Sequence, residues 1–348
     1  MGIFVSIARE AEEAIRSRVF PGCVIGFVRT NGNREIYPFG NFTYEADAQQ
    51  VTAETIYDVA SITKSIPTAC LALQLIERGQ LKLYSLLKEY IPEFSNSDRD
   101  SVSIKHLLTY TLDGYGLARH MDKDKDGLLQ LLLTKDFEQR PGTVFKYTNI
   151  PAALLGLVIE KVTGESLDVL AQREFFTPLG MNSTTFHPET LDQSLITPTE
   201  IDHRGEVRGA VHDESAHIFK QGGKVMGHAG IFSTANDLLH FMEMLLNKGN
   251  FAGKKYFSEE LVDLMATNQI AELNDYTGLG WELYQPRYMG EHCGEHTFGK
   301  TGFTGTLVVA DVEKGIAYVI LSNRIYPKRP ETSAAINAFR ASIGNILL

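Results

Sequence analysis

Cysteine is scarce in this chain. Cys23, Cys70 and Cys293 are the whole complement of 348 residues, odd in number and too sparse for a disulfide framework, which fits a reducing compartment. Basic charge is in deficit, with 33 Lys and Arg against 43 Asp and Glu. The formal net charge of −10 excludes the basic face that a nucleic-acid binder needs. No apolar run approaches the roughly 20 residues that a membrane helix requires. The longest run, 151–159, ends in Glu160–Lys161. The N-terminal stretch "IFVSIAREAEEAIRSRVF" is broken by Arg9, Glu10, Glu12, Glu13, Arg16 and Arg18, so it lacks the apolar segment of a signal peptide. The expectation is a cytoplasmic protein, or an exported one if a leader ahead of Met1–Gly2 has been removed. Internal repeats, low-complexity runs, paired C-x-x-C and H-E-x-x-H are all missing, and so is the G-x-S-x-G of a nucleophile elbow. The partners expected are a small-molecule or peptide substrate, with no nucleic acid, no membrane, no metal and no cofactor. The oligomeric state is left open.

What is present describes an ordinary globular chain, 43% hydrophobic and 22% charged. The N-terminal stretch places Ile3, Ile7, Ala11, Ala14 and Ile15 on one face of an amphipathic helix. Two strand-like runs follow, "GCVIGFVRT" (22–30) and "REIYPFGNF" (34–42), joined at Asn31–Gly32–Asn33. A matching pair, "TLVVADV" (306–312) and "IAYVILSN" (316–323), and a helix "TSAAINAFRASIGNILL" close the chain. Residues between about 60 and 290 read as mostly helical, punctuated by Gly79, Pro92, Pro141–Gly142, Pro178, Gly222–Gly223 and Pro286. This pattern predicts a single α/β (α+β) domain over 1–348. Its antiparallel sheet is drawn from both termini and flanked by helices, giving a sheet lobe of approximately 1–60 and 290–348. A mostly helical lobe of approximately 61–289 is inserted.

Several motifs fail on context. "GEHTFGKT" (294–301) matches G-x-x-x-x-G-K-[ST], but a β-rich run follows it where a phosphate loop needs a helix N-terminus. "DKDKDG" (122–127) opens like a calcium loop, yet Leu133 stands where the bidentate glutamate belongs, so a solvated turn is expected. His292, Cys293 and His296 in "EHCGEH" lack a metal-binding counterpart and read as loop residues. His212, Asp213, His217 and His228 fall in a Gly-rich connection and read as loop packing rather than catalysis.

Ser-x-x-Lys occurs at Ser61–Lys64 and again at Ser85–Lys88, so the pattern alone identifies nothing. Ser85 lies between Gly79 and Pro92 without polar company. Ser61 opens an apolar segment, 66–76, and is followed later by Tyr147–Thr–Asn149 and Lys300–Thr301–Gly302, each a single occurrence. That ordered set resembles the serine β-lactamase and penicillin-binding-protein superfamily, above all its branch of class C β-lactamases, D-Ala-D-Ala carboxypeptidases and family VIII esterases. The flanking text "YDVASITKSI", "VSIKHLLTYT", "RPGTVFKYTNIPAALLGLVIEKVTGESL", "FTPLGMNSTTF", "GHAGIFSTANDLLHFM" and "GLGWE" is similar to that branch too. The resemblance runs from about residue 4 to the C-terminus. It implies a β-lactamase-like fold and a serine hydrolase acting on an ester or amide, whether a small ester, a D-amino-acid peptide or a β-lactam. Two departures stand out. "TYTLDGYG" (109–116) replaces the His-Thr-Ser-Gly-Leu string frequent in relatives, and Lys300 stands where many esterase-like members carry His or Trp.

The residues suit that chemistry. Acyl transfer needs a nucleophile, a proton acceptor and an oxyanion cradle. Ser61 at a helix start offers its hydroxyl, its own unpaired N–H and the favourable end of the helix dipole. By resemblance, Phe303 N–H is the second oxyanion donor. Lys64 lies one turn away on the same face, and a 3₁₀ turn shaped by Pro67 would nearly eclipse the two. A solvated lysine titrates near 10.4, and lowering it ~3 units takes about 4 kcal/mol. Burial and a second cation, Lys300, both act in that direction. Tyr147 is the alternative base, favoured as phenolate by two ammonium groups, and the two titrations are coupled. The resemblance further implies that Asn149 orients an acyl-side amide and that Lys300 and Thr301 hold a substrate carboxylate. Asn149 also reads as an N-cap for the helix that follows. The rival reading is a catalytically silent ligand-binding or scaffold relative with the same fold. The intact motif set speaks against it.

Overall fold

The computed structural model describes residues 2–95 and 99–348. The four strand runs expected at both ends and two further strands pair into one antiparallel sheet. They are β1 (Gly22–Arg29), β2 (Arg34–Gly40), β3 (Glu282–Leu283), β4 (Phe298–Thr301), β5 (Leu307–Asp311) and β6 (Ile316–Ser322), in the order β2-β1-β6-β5-β4-β3. β1 and β6 join the two ends of the chain along seven residue pairs, from Cys23 opposite Ser322 to Arg29 opposite Ile316. β2 forms one edge, where Pro38 removes a ladder donor at little cost. The other edge, β3, comes from ahead of the boundary expected near 290.

The central strands are apolar on both faces because both faces are covered. Val24, Val28, Val308, Ala310, Val319 and Leu321 point into the main core, which also holds the buried side of a helix at Ala235–Leu246. Alternate residues Cys23, Ile25, Phe27, Leu307, Val309 and Ile320 point the other way, onto the terminal helices α1 (Ile3–Arg16) and Ala334–Leu347. This period of two follows from the pleat. Each fully buried Val, Leu, Ile or Phe stabilises the fold by roughly 1.5–3 kcal/mol. Ile7, Ala11 and Ala14 are the buried face of α1. The three cysteines are free and buried. No helix among the described residues is long and apolar enough to cross a membrane.

The segment carrying Ser61 departs from expectation in one respect. Ala60–Lys64 is a 3₁₀ turn, as anticipated, and Ser65–Ala69 forms a wider turn in which Ile66 leaves helical geometry (φ −111°, ψ 110°). The regular helix α2 begins only at Cys70 and runs to Glu77. Pro67 cannot donate a backbone hydrogen bond, which suits the break. Ser61 N–H therefore heads one isolated turn, and the dipole of α2 is not aimed at it, since that field fades within a turn. The next long helix, α3 (Ile150–Thr163), is buried from Ile150 to Gly156 and ends at Gly164 in the left-handed conformation. Its apolar surface all round marks an interior helix.

Candidate active site

Three pieces of chain converge on a cleft of about 400 Å³, lined by Ser61, Tyr147, Asn149, Thr301, Gly302 and Phe303 among others. Ser61 follows Ala60, a non-glycine residue at φ +52°, held there as its N–H donates to Asp58 Oδ1 at 2.8 Å. The 3₁₀ turn brings Lys64 Nζ to 2.7 Å from Ser61 Oγ, and Lys64 Nζ also donates to His228 O at 2.8 Å. Lys64 is buried, and burial pushes its pKa down to about 7. The Asp213 carboxylate opposes the shift, the Lys300 ammonium assists it, and Glu282 opposes it.

Lys300, on β4, points into the same centre. It is wholly buried, and Nζ donates to Glu282 Oε1 at 2.9 Å from β3. Burial lowers its pKa, with Glu282 opposing. Glu282 was not singled out in the sequence, where it is one acid among many in a loop-like stretch. Burial alone would raise its pKa, but the Lys300 charge and a bond from Tyr288 hold it below the usual carboxylate value. Lys300 Nζ lies 4.2 Å from the Tyr147 ring centroid and 4.5 Å from that of Tyr110. Tyr110 belongs to the departing "TYTLDGYG" segment, which thus rebuilds this edge of the site with an aromatic ring.

Tyr147 faces Ser61, but its phenol is not driven toward phenolate. Burial of the hydroxyl raises its pKa, the Glu282 carboxylate raises it further, and the Ser61 hydroxyl only partly opposes them. The expected pull of two ammonium groups fails because Glu282 offsets Lys300 and burial discharges Lys64. Asn149 stands at the N-cap position of α3, yet its side chain makes no cap bond. Its Nδ2 instead donates to Asp213 Oδ2 at 3.1 Å, and since a carboxylate only accepts, the amide orientation follows.

The Gly-rich connection does more than pack a loop. Asp213 and His212 line the cleft, and His228 supplies the carbonyl that holds Lys64. Asp213 accepts from Ser215 Oγ at 2.7 Å and Ala216 N–H at 2.9 Å. Desolvation works against its charge, but His228, His212 and these bonds keep its pKa well below the ordinary value. No spacing rule flagged these residues, because only the fold brings 212–228 against 61–64. His217 does not line the cleft.

Gly302 shows why the triplet after Lys300 needs a glycine. A Cβ there would lie 2.0 Å from Thr306 Oγ1 and 2.4 Å from Val59 O, where β4 closes on the Ser61 turn. The other sequence motifs dissolve structurally. Lys300 of "GEHTFGKT" is on a strand with no helix after it. Asp124 of "DKDKDG" caps the helix Lys125–Thr134 by accepting Gly127 N–H at 2.9 Å. His292 and His296 lie against the carbonyls of Asn345 and Ala266.

Comparison with known proteins agrees with this geometry. Residues 7–342 match the β-lactamase family model. A protein of Escherichia coli O157:H7, provisionally named a D-alanyl-D-alanine carboxypeptidase, is 30% identical over 80% of this chain and 71% of its own. Among solved structures, EstCE1, "a hydrolase with promiscuous acyltransferase activity", superposes with a TM-score of 0.79 at 21% identity, covering 99% of this chain and 98% of its own. The D-alanine carboxypeptidase AmpC of Burkholderia cenocepacia gives 0.77 at 21% identity, covering 99% of each chain. These two likenesses show the β-lactamase-like fold. The family match places the chain in a class, and the chain belongs to the β-lactamase family. It is a serine hydrolase.

Proposed function

We propose that the protein hydrolyses an ester or amide through an acyl-enzyme on Ser61, with Lys64 as the resting general base. One observation carries this reading: a buried lysine with its pKa at about 7 sits 2.7 Å from the hydroxyl it would deprotonate. At neutral pH roughly half of such a side chain is free amine, a gain on the order of a thousandfold over an exposed lysine. Lys64 takes the Ser61 proton as Oγ forms a bond to the substrate carbonyl carbon. The oxyanion is received by the backbone N–H groups of Ser61 and Phe303, and the latter has no protein acceptor among the described residues. Collapse breaks the bond to the leaving group, which receives the proton from Lys64 through the neutral Tyr147 hydroxyl. A water molecule then attacks the acyl carbon, giving a proton to Lys64, and collapse breaks the bond from that carbon to Ser61 Oγ, which takes the proton back from Lys64 as the acid is released.

Asn149 spends its Nδ2 on Asp213, which leaves its carbonyl oxygen to accept a substrate N–H on the acyl side. Thr301, with Arg324 and Arg340 in the cleft wall, suits an anionic leaving side. Lys300 serves less as a carboxylate anchor than expected, because Glu282 already occupies it. The substrate classes compatible with this cleft are a small ester, a D-amino-acid peptide and a β-lactam. The test is hydrolysis of p-nitrophenyl butyrate by wild type and Ser61→Ala, with intact mass spectrometry after rapid quench. A butyryl adduct on wild type alone, with turnover lost in the variant, supports the reading. Equal rates in both, with no adduct, would sink it.

A further inference from the structure

The nucleophile turn and the oxyanion strand are tied together by a buried pair that the mechanism above does not use. Asp58 and His212 are both almost wholly buried. Asp58 Oδ1 accepts Ala60 N–H, one residue before Ser61, at 2.8 Å. Asp58 Oδ2 accepts His212 backbone N–H at 2.9 Å and lies 3.2 Å from His212 Nδ1. The Asp58 backbone oxygen accepts Thr304 Oγ1 at 2.7 Å, one residue after Phe303. The His212 ring lies flat on the Phe303 ring, centroids 5.8 Å apart and planes 9° from parallel. One carboxylate and one imidazole thus touch the flanks of both backbone N–H groups assigned to the oxyanion.

We propose that Asp58 and His212 are positioning residues for the oxyanion cradle, with the His212 Nδ1–H bond to Asp58 and the ring stacked on Phe303 setting the separation of the Ser61 and Phe303 donors. The proposal rests on the acyl-enzyme reading. Its physical basis is that donors must be placed before charge develops, and a misplacement of about 1 Å can cost on the order of a hundredfold. Ala60 in a left-handed conformation and Phe303 in a turn would not hold that spacing by themselves. The charged groups facing His212 are Asp58 before the nucleophile, Asp213 beside it, and Arg329 from the C-terminal loop, itself paired with Glu200 and Glu214. Arg204 approaches the His212 carbonyl. Burial pulls the imidazole pKa down, but Asp58 and then Asp213 outweigh it and the net shift is upward. The charged, stronger form of the bond therefore holds below that raised pKa and weakens as pH rises through it.

Two variants and one titration test this. His212→Phe keeps a flat ring over Phe303 and removes the donor. His212→Asn keeps a donor near the Nδ1 position and cannot titrate. The expected result is a kcat loss of about tenfold to a hundredfold for His212→Phe with KM little changed, and partial rescue in His212→Asn. Wild-type kcat should fall along an alkaline limb that is absent from His212→Asn. In wild type, the His212 ring resonances followed by NMR should titrate along that limb. Full activity in His212→Phe, an unchanged limb in His212→Asn, or a His212 titration apart from the limb would each overturn the proposal. If a variant fails to fold, the wild-type titration still decides. Absence of any butyryl adduct on wild type would instead indicate failure of the acyl-enzyme reading itself.

Discussion

Ser61–Lys64 and Ser85–Lys88 share a spacing and nothing else. In the first, a 3₁₀ turn aims the ammonium at the hydroxyl, and three other parts of the chain close over both. In the second, Lys88 turns outward and pairs with Asp100 at 3.0 Å, with about a third of its side chain exposed. The first lysine is buried against the hydroxyl of its serine, whereas the second is part of an ordinary surface ion pair with an aspartate. What separates them is burial, which is the largest cause of the lowered Lys64 pKa.

The largest effect expected is on Ser61. Ser61→Ala should lower p-nitrophenyl ester turnover by on the order of 10⁵-fold, whereas Ser85→Ala should stay within about twofold. A comparable loss in Ser85→Ala would erase the contrast. Next comes the lysine. Lys64→Met should lower kcat by on the order of 10³-fold, the scale of general-base catalysis. It should also raise Tm. With a folded pKa at about 7, below the ordinary lysine value, Lys64 leaves the unfolded chain binding more protons between the two values. Its contribution to stability therefore improves as pH rises through that window and is worst below pH 7. The Tm gain of Lys64→Met over wild type should be greatest at pH 6, measured by calorimetry, while Lys88→Met should be neutral at both pH values.

Glu282→Gln would leave Lys300 buried without its counter-charge and should cost about 3 kcal/mol in denaturant unfolding. Asp100→Asn, which removes the surface partner of Lys88, should cost less than about 1 kcal/mol. Finally, kcat/KM of wild type should climb with pH through about 7, as Lys64 gives up its proton, before it falls along the alkaline limb assigned to His212. A flat profile from pH 5 to 8 would remove Lys64 from the base role.

Much of this was legible beforehand. Four of the six strands landed within one or two residues of the apolar runs that announced them at the two ends of the chain, and Glu282–Leu283 and Phe298–Thr301 had no such run. Ser61, Lys64, Tyr147, Asn149, Lys300, Thr301 and Gly302 came from three short motifs and Phe303 from the resemblance they carry, and the fold brings them to one cleft or its floor. The missed residues share a cause. Glu282 drew no notice, and His212, Asp213 and His228 were read as loop packing, since none carries a spacing signature and their partners lie 15 to 164 positions away. The misjudged Tyr147 titration has the same origin, because a cation seen in sequence brings no notice of the anion that neutralises it.

The sequence by itself announced the terminal strands and, through three ordered motifs and the family they resemble, the class of fold and the candidate pair Ser61 and Lys64, because hydrophobic period and motif order are local and survive without a partner. The tertiary structure alone decided which of two identical spacings is buried, where the charge of Lys300 goes, and which way Asn149 faces. These depend on desolvation and on contacts between distant segments, and neither exists until the chain has closed.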